Sequence, residues 1–462
     1  MSLHEALRTL GDRAWLVGGA VRDHLRGIDS ADLDIVLDGE RVAATACRLG
    51  TQAGGHPFQL SEGFGVWRVV AHDRSWQLDL IPLAGASIEE DLAQRDFTIN
   101  AIAEPLAGGE PVDPFGGLGD LAARRLRMVA PDAFERDPLR VMRLARIAAE
   151  LEFSVDDETL AAARASAPGL SGVAPERVFS ELKRIIGSER VLDGLELMDR
   201  AGATPEMLPE IADLRGVEQS RFHHLDVHDH TRAVLAEVAS LARGADAILG
   251  EHAEAVHELL AEPFANELTR GQALRFGALF HDSAKPQTRA VSDAGRITFM
   301  GHDAAGAELA ASALRRLRAS ERLIEHVAAL ARHHLVLGFL VHRMPLDRHD
   351  IYRYLMRCAP VQVDVTLLSI ADRLATRGDN SEQAIERHLE LARQLLGEAL
   401  TWSAGPPRPP IRGDELTREL HGVQGPEIGR ILAALSEASF AGEISDRSEA
   451  LALARELHER DG

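Results

Sequence analysis

Cysteine is almost missing from this 462-residue chain, which has only Cys47 and Cys358. That excludes a disulfide framework and a cysteine-built zinc site. Aromatic residues are also scarce, at 4%, although 45% of the chain is apolar. Its cores must therefore be mostly Leu, Ala and Val, a composition that suits helices. No run of about eighteen apolar residues exists, so no segment is expected to span a membrane. The opening MSLHEALRTLGDR carries charges where a signal peptide needs apolar residues, and a cytoplasmic location is expected. Excess positive charge is absent as well. A net charge of −21 argues against a protein that coats nucleic acid through a global field. Any RNA contact must come from a local basic patch. There is no internal repeat and no low-complexity tract.

What is present concentrates in Trp15–Asp38, WLVGGAVRDHLRGIDSADLDIVLD. This stretch reads as strand, glycine turn, short helix, then a second strand carrying two acids. Gly18 and Gly19 lack a Cβ, so the backbone there turns tightly and approaches a phosphate closely. Arg22 follows, where a guanidinium forks onto a triphosphate. Asp32 and Asp34 are two apart and share one face of a strand, with Leu33 and Ile35 on the other. Two such carboxylates repel unless a cation sits between them, and Mg²⁺ is the expected one beside phosphate oxygens. An N-capped helix and an acidic turn would explain any one feature, but not all of them in one short stretch.

Further on, Glu40–Gly50 reads as a helix, and Val66–Ala71 and Trp76–Leu83 as paired strands. Asp79 shares a face with Gln77 and Ile81, which makes it a candidate third catalytic carboxylate; an edge or solvent-facing Asp is the competing account. In Gln94–Ala101, Arg95 could neutralise phosphate and Asp96 could accept from a ribose hydroxyl. Asp96 as a helix cap is the plainer alternative. A glycine-rich turn at Asp113–Gly119 marks the exit from the sheet, and Arg124, Arg125 and Arg127 form a basic cluster beyond it. Asp132–Leu151 is expected as a helix with Pro138 in its first turn. On it, Asp137 and Arg140 would share a face, as either a base-reading pair or an ordinary ion pair. Pro175–Ile186 is a helix whose apolar stripe is expected to be core without chemistry.

GGAVRD, DLD, RDFTINAIA, DPFGG, DPLRVMR and PERVFSEL, in that order, resemble the bacterial class II tRNA nucleotidyltransferase and poly(A) polymerase family. The resemblance covers roughly the N-terminal two-fifths of the chain. It implies an α+β fold: a small mixed-sheet head followed by a mostly helical neck. It implies that Asp32 and Asp34 hold catalytic magnesium, with Gly18, Gly19 and Arg22 around the triphosphate. Arg95 and Asp96 would contact the nucleotide, and Asp137, Arg140 and Arg143 would bind and select it in place of a template. Two departures flank these positions, Arg136 where the family has an acid and Gln94 where it has arginine. The implied reaction is attack of an RNA 3′-hydroxyl on the α-phosphorus of CTP or ATP, with two magnesium ions about 3.5–4 Å apart.

The second half is dense in histidine from Arg221 onward. His230, His281-Asp282, His302-Asp303, His333-His334 and Asp372 all fall on expected helices. Histidine plus carboxylate suits a borderline divalent metal. The set resembles the HD metal-dependent phosphohydrolase domain at His230, His281, Asp282 and Asp372, with His302 and His333 as extra ligands. A relic kept for packing is the alternative. His326 and His342 read as core residues, and Lys285, Pro286 and Arg289 as either a phosphate lure or a solvated loop. Trp402–Pro410 is expected to be a stiff proline-rich linker. Beyond it, the glycine turn at Gly425 opens a helix, and this tail, with Arg408, Arg412, Arg418 and Arg430, resembles the family's RNA-binding region.

The expected domains are a head at 1–120, a neck at 121–210, an HD domain with following helices at 211–400 and a tail at 401–462. The expected function is addition of CCA, or part of it, to tRNA 3′ ends. The rivals are a poly(A) polymerase, a phosphohydrolase and a non-catalytic RNA binder.

Overall fold

A computed structural model describes residues 3–461 apart from 12, 62, 221, 222, 245, 378–380 and 421–424. Arg221, the expected start of the histidine-rich half, thus lies outside the described residues. The chain forms two compact units, Met1–Met207 and Leu208–Gly462.

The first unit opens with a six-stranded sheet in the order β3-β4-β5-β2-β1-β6. Its strands are β1 (Ala14–Val17), β2 (Asp32–Leu37), β3 (Gly55–Ser61), β4 (Val66–Ala71), β5 (Gln77–Pro82) and β6 (Ala103–Pro105). Strands β2 and β5 run parallel and the other neighbours antiparallel, so the sheet is mixed. Edge strand β3 went unread because Gly55, Pro57 and Gln59 break the apolar alternation that marks a strand. Along β2, Ile35 and Leu37 join a core with Leu49, Leu78 and Leu80, while Val36 faces the opposite core with Val17 and Leu92. Period two therefore places Asp32 and Asp34 on the Val36 side. The helix Val42–Ala53 covers the first core and stops at Gly54, which is left-handed at φ 74°.

The neck departs from the expected single helix over Asp132–Leu151. It is two helices, Ala133–Arg136 and Arg140–Leu151, with Asp137 extended at φ −148° and ψ 97° between them. Pro138 causes the break, since its ring pushes the preceding residue out of the helical region. Asp137 and Arg140 therefore do not share a helix face. The helix Pro175–Gly187 buries Val178, Phe179, Leu182, Ile185 and Ile186, as its periodicity indicates. The Arg125 and Arg127 guanidiniums both pair with buried Asp120, so one charge of the expected basic cluster is offset there.

The second unit is helical. Val227–Gly244, Arg270–Phe280, His302–Arg316, Glu321–His333 and Gln362–Ala375 pack against one another. Arg270–Phe280 starts with a Thr269/Gln272 capping box, which fixes where the helix begins, and His281 and Asp282 emerge at its other end. On length and composition alone, Glu321–Arg343 reaches the apolarity of a membrane-crossing helix, with a mean hydropathy of 1.2. The helix breaks at His334-Leu335, however, and Leu330, Ala331 and Leu337 are buried within the unit. His326 is buried against Phe264, whereas His342 is exposed rather than core.

The expected linker is shorter than its proline content implies. Trp402–Ala404 belongs to the helix Ser381–Ala404, where the Trp402 ring meets Tyr352 and Phe440. After Pro410, the helices Gly413–Glu419, Pro426–Ala441 and Arg447–Asp461 share a small core around Leu416, Leu435 and Leu451.

Candidate active site

A cleft of about 600 Å³ in the first unit gathers Gly18, Gly19, Arg22, Asp32, Asp34, Arg95, Asp96, Asp137, Arg140 and Arg143. Gly18 follows β1 at φ +75°. A Cβ there would lie 3.1 Å from Asp34 Oδ2 and 3.2 Å from an Arg95 nitrogen, so glycine is needed for both conformation and space. Asp32 is exposed at the mouth and Asp34 half-buried behind it. Burial pushes the Asp34 carboxyl up to about 6, opposed by Arg95 and reinforced by Asp79 and Asp32. Carboxylates that resist ionising together, with hard oxygens facing an open cleft, fit a divalent cation.

Asp79 sits opposite Asp34 in the parallel β2–β5 pair. Its carboxylate is already forked by Arg68, at 2.6 and 2.7 Å. The structure thus brings Asp79 beside the acids but matches its charge from another side chain.

Behind the acids runs a buried network. Arg22 donates to Asn100 Oδ1 at 2.8 Å, and Asn100 Nδ2 donates to Asp96 Oδ1 at 3.0 Å. Arg143 forks onto Asp96 Oδ2 at 2.8 and 2.5 Å. Burial alone would raise the Asp96 carboxyl, but Arg143 and the donors Asn100 and Phe97 N outweigh it and hold it at about 2. Asp96 is therefore neither a helix cap nor a surface acid. Arg140 reaches back to backbone, donating to the carbonyls of Arg95, Ala133 and Gln94 at 3.1, 3.0 and 2.5 Å. The Gln94 carbonyl, not its side chain, is what Arg140 touches. Arg136, the other departure, bonds Asp132 and the Ala93 carbonyl. Asp137 accepts from Leu139 N at 3.2 Å and from Arg177 at 2.9 Å.

In the second unit, His230, His281, Asp282, His302 and His334 converge. His230 Nε2 lies 3.1 Å from Asp372 and 3.7 Å from Asp282. His281 Nε2 is 3.1 Å and His302 Nε2 3.3 Å from the Asp282 carboxylate. The adjacent histidine needs correcting: His334, not His333, joins the group. Neighbouring residues point about 100° apart at a helix end, so only one of two can face the cluster. Burial, then the charges of Arg357 and Arg332, lowers the pKa of half-buried His333, with Asp303 opposing them. Burial pushes His334 down to about 4. The charges of His281 and Lys285 hold the Asp282 carboxyl well below the usual range despite its burial. Lys285 is no solvated loop residue, since its Nζ is 2.6 Å from Asp282 Oδ2. Arg289 by contrast pairs with exposed Glu218.

Family models match in three places: a poly A polymerase head domain at residues 65–127, a probable RNA- and SrmB-binding site of polymerase A at 152–214, and an HD domain at 227–377. The A-adding tRNA nucleotidyltransferase of Deinococcus radiodurans is 37% identical, over 95% of this chain and 94% of that one. The CC-adding tRNA nucleotidyltransferase of Thermus thermophilus is 35% identical, over 95% and 92%. This chain belongs to the tRNA nucleotidyltransferase family. The fold agrees: a CCA-adding enzyme in its apo form superposes with a TM-score of 0.66 at 18% identity, over 97% and 92% of the two chains.

Sequence reasoning missed several residues of this nucleotidyltransferase's cleft. Asn100, Arg146, Arg177 and Arg184 also line it. Arg146 is buried on Glu181 at 2.5 Å and pairs with Glu150 at 2.8 Å. Beside its apolar stripe, the helix Pro175–Gly187 brings Arg177 and Arg184 to the cleft and Glu181 against Arg146 behind it. Their spacing of four and three residues was the available signal.

In the tail, Gly425 caps Pro426–Ala441, but the first turn carries Glu427, bonded by His458 at 2.7 Å. Arg412 and Arg418 both lie 3.2 Å from Asp414.

Proposed function

We propose that this enzyme adds cytidine, adenosine or both to the 3′ end of tRNA, using CTP and ATP in the cytoplasm. The observation carrying this reading is that Asp32 and Asp34 open onto the cleft that also holds Arg22, Asp137 and Arg140. Magnesium at the two acids would supply positive charge for the attacking and leaving oxygens. Gly18, Gly19 and Arg22 would bind the triphosphate. Asp137 and Arg140 would offer an acceptor and donors to the edge of the incoming base, with Asp96 at its ribose. The RNA 3′-hydroxyl forms a bond to the α-phosphorus, the bond to pyrophosphate breaks, and the hydroxyl proton leaves to solvent. The tail arginines, though partly paired with acids, would give RNA a basic hold.

Purified protein incubated with magnesium, each NTP and tRNA transcripts lacking CCA or ending in CC tests this. Addition that stops after C, C and A, after CC, or after a single A supports the reading and says which step is catalysed. Long A tails would make it a poly(A) polymerase, and no extension would overturn the transferase reading for this chain.

A second activity is favoured by the histidine cluster. His230, His281, Asp282 and Asp372 would hold a divalent metal for phosphoester hydrolysis in the second unit, beside a cavity of about 1000 Å³. Phosphate release that is lost in His281→Ala but kept in Asp32→Asn would assign it there.

A further inference from the structure

The acids of the first unit belong to a cross-strand row that continues well beyond them. Asp34 on β2 stands opposite Asp79 on β5, Asp79 opposite Arg68 on β4, and Arg68 opposite Phe58 on β3. The neighbouring row runs Asp32, Gln77, Val70 and His56. Residues directly opposite one another in a sheet project from the same side. His56 and Phe58 therefore stand on the face that carries the acids, three strands away, or about 14 Å at the usual strand spacing.

Both rings are exposed, Phe58 at 39% of its surface. Their centroids lie 6.3 Å apart, with the planes tilted by 30°. Aromatic surface left in water adds nothing to the fold, but it offers a flat apolar face to a partner. The strand is a sheet edge, yet Pro57 has no N–H to give, so β3 is a poor template for a strand of another chain. Between the rings and the acids, Arg68 forks onto Asp79 and keeps 27% of its side chain exposed. From the acids outward, this face thus presents carboxylates, a guanidinium and then an aromatic shelf.

The geometry of phosphoryl transfer decides what comes to this side. Attacking and leaving oxygens lie in line across the phosphorus. Gly18 and Gly19 follow β1, and Arg22 lies on the short helix Gly19–Leu25, so the pyrophosphate leaves over the β1 side of the acids. The RNA 3′-hydroxyl must then arrive over β5, where β4 and β3 extend the sheet. We propose that His56 and Phe58 form a stacking shelf for the last one or two unpaired bases of the RNA, with Arg68 beneath the phosphate that joins them. This rests on the tRNA-extension reading above and deepens it by naming where the RNA end lies. Stacking accepts any base, which suits an end whose last base changes as nucleotides are added.

The test follows extension, by the full chain, of whichever tRNA transcript the wild type accepts, with KM for RNA and KM for the nucleotide measured separately. Phe58→Leu keeps an apolar side chain and loses the ring. It should raise KM for RNA about tenfold, the scale of one lost base–aromatic stack, and leave KM for the nucleotide unchanged. Joint His56→Ala and Phe58→Ala should raise it further, whereas Phe58→Trp should keep the wild-type value. Because both side chains are exposed, melting temperatures should stay within a few degrees of the wild type. A wild-type KM for RNA in Phe58→Leu overturns the shelf and leaves the transferase reading intact. So does a wild type that sediments as a dimer and a Phe58→Leu variant that sediments as a monomer with KM unmoved, which gives the patch to a second copy. No extension by the wild type overturns both readings.

Discussion

Asp32 and Asp34 share one face of β2, and the chemistry depends on their staying ionised together. Replacing either by Asn should lower nucleotide incorporation by at least about a thousandfold, the scale of losing a preorganised electrostatic contact. The melting temperature should stay within a few degrees, since Asp32 is exposed and Asp34 is destabilised by its burial. The raised Asp34 pKa, about 6, also has a sign. The folded state holds this proton more tightly than the unfolded chain, so between about 4 and 6 rising pH weakens folding when no metal is present. A cation needs the ionised form. Apparent Mg²⁺ affinity should therefore fall as pH drops below 6, and extra magnesium should move the acid limb of the rate profile lower; incorporation measured against Mg²⁺ at pH 5.5 and 7.5 checks this. A third residue-scale case is Gly18→Ala. It adds a Cβ at φ +75° within 3.2 Å of Asp34 and Arg95. We expect about a hundredfold loss in kcat/KM, read in steady-state assays, because small misplacements of reacting groups cost this much.

At the scale of elements, the joint at Asp137-Pro138 and the network behind it matter most. Arg140 holds three carbonyls at the base of the cleft. Arg140→Lys keeps the charge and loses the fork. Discrimination between CTP or ATP and GTP should weaken by about 1–3 kcal/mol, measured as the ratio of kcat/KM values. Partly exposed Arg143 is the counter-charge of buried Asp96, so Arg143→Met leaves that carboxylate without its ion pair, at a cost of about 1–3 kcal/mol, and should lower stability in urea denaturation as well as activity. Asp96 is held at about 2, so its share of that stability is full above pH 4 and disappears as pH falls toward 2. A helix was legible where apolar spacing and a proline in the first turn agreed, as at Pro175–Gly187. The broken helix at Asp137 was not, because the steric effect of Pro138 on its neighbour outweighed a continuous apolar pattern.

Over the whole molecule, a net charge of −21 stands against an arginine-lined cleft. RNA must then be held by a few local phosphate contacts, each contributing about 0.7–0.9 to the slope of log affinity against log salt. Raising NaCl from 50 to 200 mM should weaken tRNA binding by at least about tenfold, measured by filter binding. A salt-insensitive affinity would rule out the arginine-rich surfaces as the RNA contact.

The order of short motifs determined the family, the α+β head and the acids on one strand face, because period two and glycine geometry act over a few residues. Only the tertiary structure decided which partners those groups meet. Arg68 matches Asp79, Arg143 and Asn100 hold Asp96, Arg177 comes from a distant helix to Asp137, and His334 replaces His333. Apart from Asn100, which is four positions from Asp96, the pairings in the first unit join residues 11 to 47 positions apart, and the Asp282 cluster joins helices much further separated in the chain. No local spacing encodes them; they follow from how buried charges find counter-charges once the helices have packed.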